Sequence, residues 1–201
     1  VIAINNRANT GTSAFLLEKD TIHGNLNHEI KFDKTSIKIA GHNILCFHES
    51  DPENLPWKKL GIDIVFECTG KFNSKEQSSK HLMAGAKRVL VSAPCKNADQ
   101  TVVYGINHKN ISKKDKIISV ASCTTNCLAP LAYVMDKNFT IQNGYMTTIH
   151  SYTTDQRLLD NSHKDLRRAR SGPNNMVPTS TGAAKALELI LPKLKNKIDG
   201  I

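Results

Sequence analysis

The sequence predicts an α/β fold whose first part contains a doubly wound parallel sheet. Two observations support this fold class. Short apolar runs alternate with helical patterns, and small polar residues follow the apolar runs, at residues 5–6, 69–70, 92–94 and 122–123. Because ligands of such sheets bind beyond the carboxyl ends of the strands, we expect a binding site among these residues.

The spacing of apolar residues places the individual elements. Strands are predicted at residues 1–4, 28–32, 36–40, 43–48, 62–67, 88–92, 101–105, 117–122 and 145–150. Those between residues 28 and 48 alternate apolar and polar residues around a turn at 40–43, which favours antiparallel pairing. Helices are predicted over residues 10–17, 74–84 and 182–191, capped by Thr10 or Thr12, Ser74 and Thr181, with a short helix after Cys123.

No glycine-rich phosphate loop is present in the sequence, neither GxGxxG nor a P-loop. In a dinucleotide-binding domain, that loop joins the first strand to the first helix. We therefore expect this chain to start at the second strand of such a domain. Since the chain opens in a strand-like run and closes just after a helical pattern, we expect a piece of a longer protein.

The composition favours a globular protein with an anionic partner. Lys and Arg number 27 against 18 Asp and Glu, a net charge of +9, which is compatible with nucleic acid, acidic lipid or a phosphorylated small molecule. No apolar run approaches the roughly 20 residues of a membrane span. The five cysteines have scattered spacing and no CxxC pair, which disfavours a disulfide framework or a zinc site and favours a reducing, cytoplasmic compartment.

Cys123 is the strongest candidate for chemistry. It follows a predicted strand and precedes a predicted helix, whose N-terminus carries about half a positive charge and stabilises a thiolate. The alternative is a buried structural cysteine, the role we expect for Cys127, which should point inward one turn later. His150, at the end of a predicted strand, can pair with the thiolate as a general base. As one of eight histidines, it can equally be a loop residue without a role.

Residues 151–180 show little apolar periodicity and are predicted to form a long loop, a type of segment that is often functional. Within it, residues 157–170 contain five Lys or Arg against two Asp. A solvated face, a nucleic-acid patch and a phosphate clamp all fit this pattern. The lack of aromatic residues disfavours single-stranded nucleic acid, and Arg is suited to phosphate. Residues 179–185 place hydroxyls at a predicted helix N-terminus, either an anion site or an ordinary cap.

Several segments resemble the phosphorylating glyceraldehyde-3-phosphate dehydrogenases of the bacterial or plastid-like type. They include SCTTNCLAP at 122–130, MTTIHSYTTDQRLLD at 146–160, HKDLRRAR at 163–170, PTSTGAAKA at 178–186, ECTGKF at 67–72 and GAKRVLVSAP at 85–94. The resemblance implies an incomplete Rossmann-type NAD-binding domain over residues 1–122. The start of an α+β catalytic domain follows over residues 123–201, with an S-loop at 151–182. It also implies a homotetramer in the cytoplasm.

The resemblance further implies a role for each matching residue. Cys123 attacks the aldehyde of glyceraldehyde 3-phosphate to form a thiohemiacetal, and His150 activates the thiol and takes the hydroxyl proton. Inorganic phosphate then cleaves the resulting thioester to release 1,3-bisphosphoglycerate. The positions that match ligands of this phosphate are Ser122, Thr124, Arg168, Thr181 and Gly182, and Thr153 matches a ligand of the substrate's own phosphate.

NAD is the cofactor that the resemblance implies, and the candidate binding residues are Asn6, Ser50, Thr69, Gly70 and Ser92. Two of them depart from the family's usual pattern. Asn6 stands in place of an Asp that accepts a hydrogen bond from the adenosine ribose and repels a 2′-phosphate. Ser50 replaces a more usual Arg or Lys near the adenine. The neutral Asn6 leaves tolerance of NADP open.

Three alternative functions remain at the level of the sequence. Erythrose-4-phosphate dehydrogenase shares the SCTTN core, although the segment STGAAKA favours the glyceraldehyde-3-phosphate enzyme. The basic charge allows a nucleic-acid-binding role, whose affinity would fall steeply with salt. A redox sensor would use the Cys123 thiolate without turnover, because a thiol of low pKa oxidises readily.

Overall fold

The computed structural model describes all 201 residues, which form two compact units, Val1–Leu90 and Val91–Ile201. The first unit contains β1 (Ala3–Asn5), α1 (Thr10–Glu18), β2 (Lys19–Asp20), β3 (Gly24–Asn25), β4 (Ile30–Phe32), β5 (Ser36–Ile39), β6 (His42–Phe47), β7 (Ile64–Glu67), α2 (Lys75–Met83) and β8 (Arg88–Val91), which ends at the first residue of the second unit. The second unit contains β9 (Gln100–Thr101), β10 (Ile117–Ser119), α3 (Cys123–Phe139), β11 (Gly144–Met146), α4 (Ala183–Ile190) and β12 (Ile198–Gly200). None of the helices combines the length and the apolar character that a membrane span requires.

The first sheet of unit 1 has the strand order β1-β6-β5-β4. Strand β1 pairs in parallel with β6, with Ala3 opposite Leu45, whereas β6, β5 and β4 are antiparallel neighbours. The hairpin between β5 and β6 turns at Ala40 and Gly41, whose φ angles of 48° and 78° give the turn the twist of the flanking strands. The α/β class and the predicted antiparallel strands between residues 28 and 48 are therefore confirmed.

The N-terminal caps of the unit 1 helices differ in how well the sequence predicts them. Ser74 caps α2 as predicted, since its Oγ accepts from the backbone N–H of Gln77 at 3.2 Å. The prediction of Thr10 or Thr12 as the cap of α1 is wrong, because Asn9 Oδ1 accepts from Thr12 N at 2.7 Å. Thr10 is buried and donates its hydroxyl proton to the carbonyl of Lys34 instead.

Strand β7 is anchored in an apolar cluster formed by Leu55, Trp57, Ile62, Ala84 and Ala86, with Val65 of β7 and residues of β1 and β6 packed against it. The chain passes very close to itself here. A Cβ at Gly85, whose φ is +106°, would lie 2.4 Å from the Cβ of Lys58. Only glycine fits at this position, so it fixes the approach of the chain into β8.

Unit 2 is built on two parallel strand pairs, β9 with β10 and β11 with β12, and on the packing of α3 against α4. The short helix predicted after Cys123 has 17 residues and contains Pro130. A proline inside a helix removes one backbone hydrogen bond. The helix continues nevertheless because Ala129 and Ala132 are buried against Leu187 and Ile190 of α4, which offsets that loss.

Strand β11 ends at Met146, so the prediction of a strand over residues 145–150 is wrong in its second half. Residues 144–146 pair with β12, which the sequence did not predict, and beyond them Thr148 N donates to the Ile201 carbonyl at 2.8 Å. His150 therefore lies in irregular chain and not at the end of a strand. Strand β10 likewise stops at Ser119, three residues before the predicted end.

Cys127 is exposed, which contradicts the expectation that it points inward. The buried face of α3 follows Thr125, Ala129 and Ala132 at spacings of four and three residues, and position 127 lies off this stripe. The division at residues 122 and 123 between a cofactor domain and a catalytic domain stays a prediction.

We expect Leu187→Ala to lower the free energy of unfolding by about 2–5 kcal/mol, because the substitution opens a cavity between α3 and α4. Leu187 is 1% exposed, whereas Leu189 of the same helix is 66% exposed. Leu189→Ala is therefore the matched control and should change stability by no more than about 0.5 kcal/mol. Urea unfolding measures both, and equal losses in the two variants would contradict the packing of α4 described above.

Candidate active site

Cys123 and His150, which the sequence singled out separately, meet in the structure. Sγ of Cys123 lies 3.1 Å from Nε2 of His150. Nδ1 of His150 lies 2.6 Å from the carbonyl oxygen of Ser151. Because a carbonyl can only accept, Nδ1 carries a proton and Nε2 is directed at the sulfur. Both side chains are exposed, so a substrate can reach them.

The electrostatics of this pair favour a thiolate beside an imidazolium. Burial raises the pKa of the Cys123 thiol, but hydrogen bonds from His150 and from the backbone of Thr124, together with the charge of His150, lower the pKa below its ordinary value of 9.0. The pKa of His150 is raised above 6.5, first by its hydrogen bond to the Ser151 carbonyl and then by Cys123. Cys123 is also the first residue of α3, where the helix dipole stabilises a negative charge. Such a thiol is a nucleophile near neutral pH.

Ser122 and Thr124 flank the nucleophile. Ser122 is the N-cap of α3, since its Oγ accepts from Thr125 N at 3.1 Å and lies 2.7 Å from Thr125 Oγ1. When the Thr125 hydroxyl donates to Ser122 Oγ, the hydroxyl proton of Ser122 is free to bind an anion. Thr124 contributes both its backbone amide and its hydroxyl to the sulfur of Cys123.

Arg168, the predicted phosphate ligand of the long loop, is held by Thr179, one of the hydroxyl residues predicted at the anion site, and by Asp155, which the sequence did not single out. Its guanidinium forms an ion pair with Asp155 and donates to Thr179 Oγ1 at 3.0 Å. Burial raises the pKa of Asp155, but the contact with Arg168 lowers it below its usual range. A charged Asp155 therefore fixes the orientation of the guanidinium.

Thr181 and Gly182 lie at the start of α4, close in sequence to Thr179. Gly182 is the N-cap residue, and Thr181 Oγ1 accepts from Ala183 N at 3.2 Å. The cap predicted at Thr181 is thus one residue early, although its hydroxyl does bond to the first turn. Through Thr179, the structure brings Arg168 to the segment that leads into this helix.

Thr153 is exposed and donates from both its backbone and its hydroxyl to Gln156 Oε1, at 2.7 and 3.2 Å. It forms no hydrogen bond with Cys123 or Arg168. The loop around it is irregular as predicted, with short 3-10 turns at Leu166–Ala169 and Gly172–Asn174.

Four of the predicted cofactor residues lie in unit 1, and Ser92 lies exposed in unit 2. The backbone N–H of Asn6 donates to the Phe47 carbonyl at 3.0 Å and so adds one hydrogen bond beyond the end of β1. The Asn6 side chain donates to Ser13 Oγ at 3.2 Å. His48, which the sequence analysis did not identify, bonds to the Asn6 carbonyl through Nδ1 at 2.7 Å. Ser50 is exposed beyond the end of β6, and Thr69 and Gly70 follow β7.

A buried chain of hydrogen bonds supports Thr69. Trp57 Nε1 donates to His81 Nδ1 at 3.0 Å, which leaves the proton of His81 on Nε2, directed at Glu67 Oε2 at 3.0 Å. The other carboxylate oxygen of Glu67 accepts from the backbone N–H of Thr69 at 2.7 Å and from its hydroxyl. Burial raises the pKa of Glu67, but these donors lower it below 4.5. In the sequence, Glu67 and Thr69 stand in the segment ECTGKF, but nothing local indicated the hydrogen bonds that Glu67 forms with His81.

We expect Glu67→Gln to lower the free energy of unfolding by about 1–3 kcal/mol, because the amide nitrogen then faces a donor on His81 or on Thr69. The carboxylate stabilises the fold fully above its ordinary pKa of 4.5, and this contribution is lost as the pH falls through the lower pKa of the folded state. The variant has no carboxylate at this position, so its free energy of unfolding, measured with urea, should fall less than that of the wild type as the pH is lowered. Glu29→Gln, on a side chain 77% exposed, is the control, and an equal effect there would refute the role of the buried chain.

We expect His150→Asn to slow alkylation of Cys123 by iodoacetamide at pH 6–7. In the wild type the lowered thiol pKa keeps the thiolate populated as the pH falls, so the pH–rate curve should lie to the acid side of an ordinary cysteine. Removal of the imidazolium should move the curve to higher pH and leave the rate on its alkaline plateau unchanged. Peptide mass spectrometry resolves Cys123 from Cys68 and Cys127, which are exposed and serve as references. An unmoved curve would contradict the ion pair.

Comparison with known proteins identifies the family. Residues 1–75 match the model of the glyceraldehyde 3-phosphate dehydrogenase NAD binding domain, and residues 122–201 match that of the C-terminal domain. Over its whole length the chain is 52% identical to glyceraldehyde-3-phosphate dehydrogenase of Zymomonas mobilis and 50% identical to that of Geobacillus stearothermophilus. It is 53% identical to glyceraldehyde-3-phosphate dehydrogenase 2 of a Nostoc species. The chain spans 60% of the length of each of these relatives. It belongs to the glyceraldehyde-3-phosphate dehydrogenase family.

Proposed function

We propose that the protein catalyses the NAD-dependent oxidative phosphorylation of glyceraldehyde 3-phosphate to 1,3-bisphosphoglycerate. The observation that carries this proposal is the 3.1 Å contact between Cys123 Sγ and His150 Nε2 at the start of α3. It supplies a nucleophile of lowered pKa and a base within reach of the same reacting carbon. The family relationship supports the substrate.

The first covalent step is the attack of the Cys123 thiolate on the aldehyde carbon, which forms a thiohemiacetal. The developing oxyanion requires donors at the same place. The backbone N–H of Cys123 at the N-terminus of α3 and the His150 imidazolium fill this role, and the Nε2 proton of the imidazolium passes to the oxyanion, which leaves a thiohemiacetal hydroxyl and a neutral His150. Because His150 and the backbone of Thr124 lower the pKa of the Cys123 thiol, its thiolate is more populated at neutral pH than that of an ordinary cysteine.

His150 then acts as general base. Its Nε2 takes the proton of the thiohemiacetal hydroxyl as the carbon is oxidised to a thioester, and the Ser151 carbonyl at Nδ1 stabilises the imidazolium that results. NAD supplies the oxidant when bound, by taking up a hydride from that carbon.

The residues at the ends of β1 and β7 fit a dinucleotide in their chemistry. Within unit 1, Asn6, Ser50, Thr69 and Gly70 would hold the cofactor with carboxamide, hydroxyl and backbone groups, which are neutral and can both donate and accept, as ribose hydroxyls and an adenine ring require. Asn6 carries no charge that repels a 2′-phosphate, so tolerance of NADP belongs to the proposal.

Inorganic phosphate attacks the thioester from a site formed by Ser122, Thr124, Arg168, Thr181 and Gly182. Arg168 supplies the positive charge, and its contacts with Asp155 and Thr179 hold the guanidinium in place before phosphate arrives. Thr153 is the ligand proposed for the phosphate of the substrate itself. Release of the acyl phosphate returns Cys123 as a thiolate.

We further propose that the protein is a cytoplasmic homotetramer, with residues 151–182 as the S-loop at a subunit interface. Support for the interface comes from apolar side chains of this loop, since Leu158, Leu159 and Leu166 are 72%, 75% and 81% exposed. Support for a reducing compartment comes from the five cysteines, all of which are free.

The full-length protein should reduce NAD with glyceraldehyde 3-phosphate only when phosphate or arsenate is present. We expect Cys123→Ser to lower turnover by about 10³-fold or more, because a serine hydroxyl is far less ionised than a thiol. Cys127→Ser, on the exposed cysteine one helical turn later, is the matched control and should retain wild-type turnover. The absorbance of the reduced nicotinamide follows the reaction.

Erythrose 4-phosphate serves as the competing substrate in the same assay. A higher kcat/KM for erythrose 4-phosphate would overturn the substrate assignment but keep the chemistry. Normal turnover of Cys123→Ser would overturn the mechanism.

A further inference from the structure

The turn that precedes Cys123 is tied by a side chain that has no part in the chemistry proposed above. Nδ2 of Asn126, the fourth residue of α3, donates to the carbonyl of Val120 at 2.7 Å and to the carbonyl of Ser122 at 2.9 Å. These two carbonyls flank Ala121. One amide group therefore closes a clamp over the residue that joins β10 to the nucleophile segment.

Ala121 needs such a clamp because its backbone is left-handed, with φ at 59°. A residue with a Cβ adopts this conformation only at a cost in free energy. Ala121 is also buried, at 3% exposure, and its N–H bonds to Ser119 Oγ at 3.1 Å, which in turn donates to the Ala93 carbonyl at 2.8 Å. A strained backbone conformation persists only where several contacts hold it in place. Here Ser119 holds the turn from one side and Asn126 from the other.

The clamp is not a requirement of the helix. Ser122 already provides the N-cap through Thr125, and the Ser122 carbonyl accepts the ordinary helical bond from Asn126 N at 2.9 Å. Asn is also a poor residue for a helix interior, because its side chain competes for backbone groups. The second acceptor, the Val120 carbonyl, lies before the helix and outside its hydrogen-bond pattern.

We propose that Asn126 is a positioning residue for Cys123: its bonds to the Val120 and Ser122 carbonyls hold the left-handed turn that places Sγ within 3.1 Å of His150 Nε2. The inference rests on the proposed function in taking Cys123 as the nucleophile. His150 lies in irregular chain after β11, so the cysteine has to be fixed from its own side. Without the clamp, Ala121 relaxes, the contact lengthens, and the thiolate loses its partner.

The test is the pH–rate profile of Cys123 alkylation by iodoacetamide in the full-length protein, with Asn126→Ala as the variant. We expect the profile to move to higher pH by about one unit, a loss of about tenfold in rate near pH 6. The rate on the alkaline plateau should stay the same, because the thiol itself is unchanged. A structural role alone would not produce a loss confined to low pH.

Asn138→Ala is the matched control. Asn138 lies in the same helix and its Nδ2 donates to the Val134 carbonyl at 2.7 Å, but it is far from the turn. Its profile should coincide with the wild type. Asn126→Ser retains a donor for the Ser122 carbonyl alone, since a helical serine bonds four residues back, and an intermediate profile is expected.

The outcomes separate this inference from the proposed function. A wild-type profile like that of Cys68 and Cys127 would overturn the nucleophilic role of Cys123. A wild-type profile shifted to acid pH, with Asn126→Ala superimposed on it, would overturn the role of Asn126 alone. If Asn126→Ala loses its cooperative unfolding transition, Asn126→Ser decides, and a wild-type profile there overturns the proposal.

Discussion

The reactivity of Cys123 depends on its contact with His150, and these two residues lie in very different structural surroundings. Cys123 is fixed by a long helix at its N-terminus, whereas His150 lies in irregular chain and is oriented by the carbonyl of its neighbour, Ser151. A sulfur and a ring nitrogen 3.1 Å apart stabilise each other's charged forms only at short range. The turn at Ala121 and the packing of α3 against α4 therefore bear directly on reactivity.

Two further charged side chains, those of Glu67 and Arg168, are held by hydrogen bonds and ion pairs to neighbouring residues. The carboxylate of Glu67 is buried, yet it stays ionised because His81 and Thr69 donate to it, and the loop after β7 is thereby fixed. The guanidinium of Arg168 is fixed by Asp155 and Thr179. In both cases hydrogen bonds and ion pairs to neighbouring residues order the side chain.

The basic charge that the sequence presents acquires a more specific meaning in the structure. Within the loop, Asp165 pairs with Arg167 and Asp160 with Arg170, so part of the excess charge is locally compensated. Arg168 is the arginine whose guanidinium also reaches the segment before α4. These local ion pairs disfavour a nucleic-acid surface, which would need a row of uncompensated charges.

The sequence by itself determined the features that arise within a few residues: the hairpin between β5 and β6, the Ser74 cap, the position of Cys123 at a helix start, and motifs specific enough to indicate the family. Tertiary structure decided the rest. Packing on α4 carries α3 through Pro130, β11 pairs with β12 some 50 residues later, and the burial of Trp57, His81 and Glu67 joins three segments distant in sequence. Local periodicity and capping record only interactions between neighbours in the chain. The partners of Pro130's helix, of β11 and of Glu67 lie many residues away, and folding alone brings them into contact.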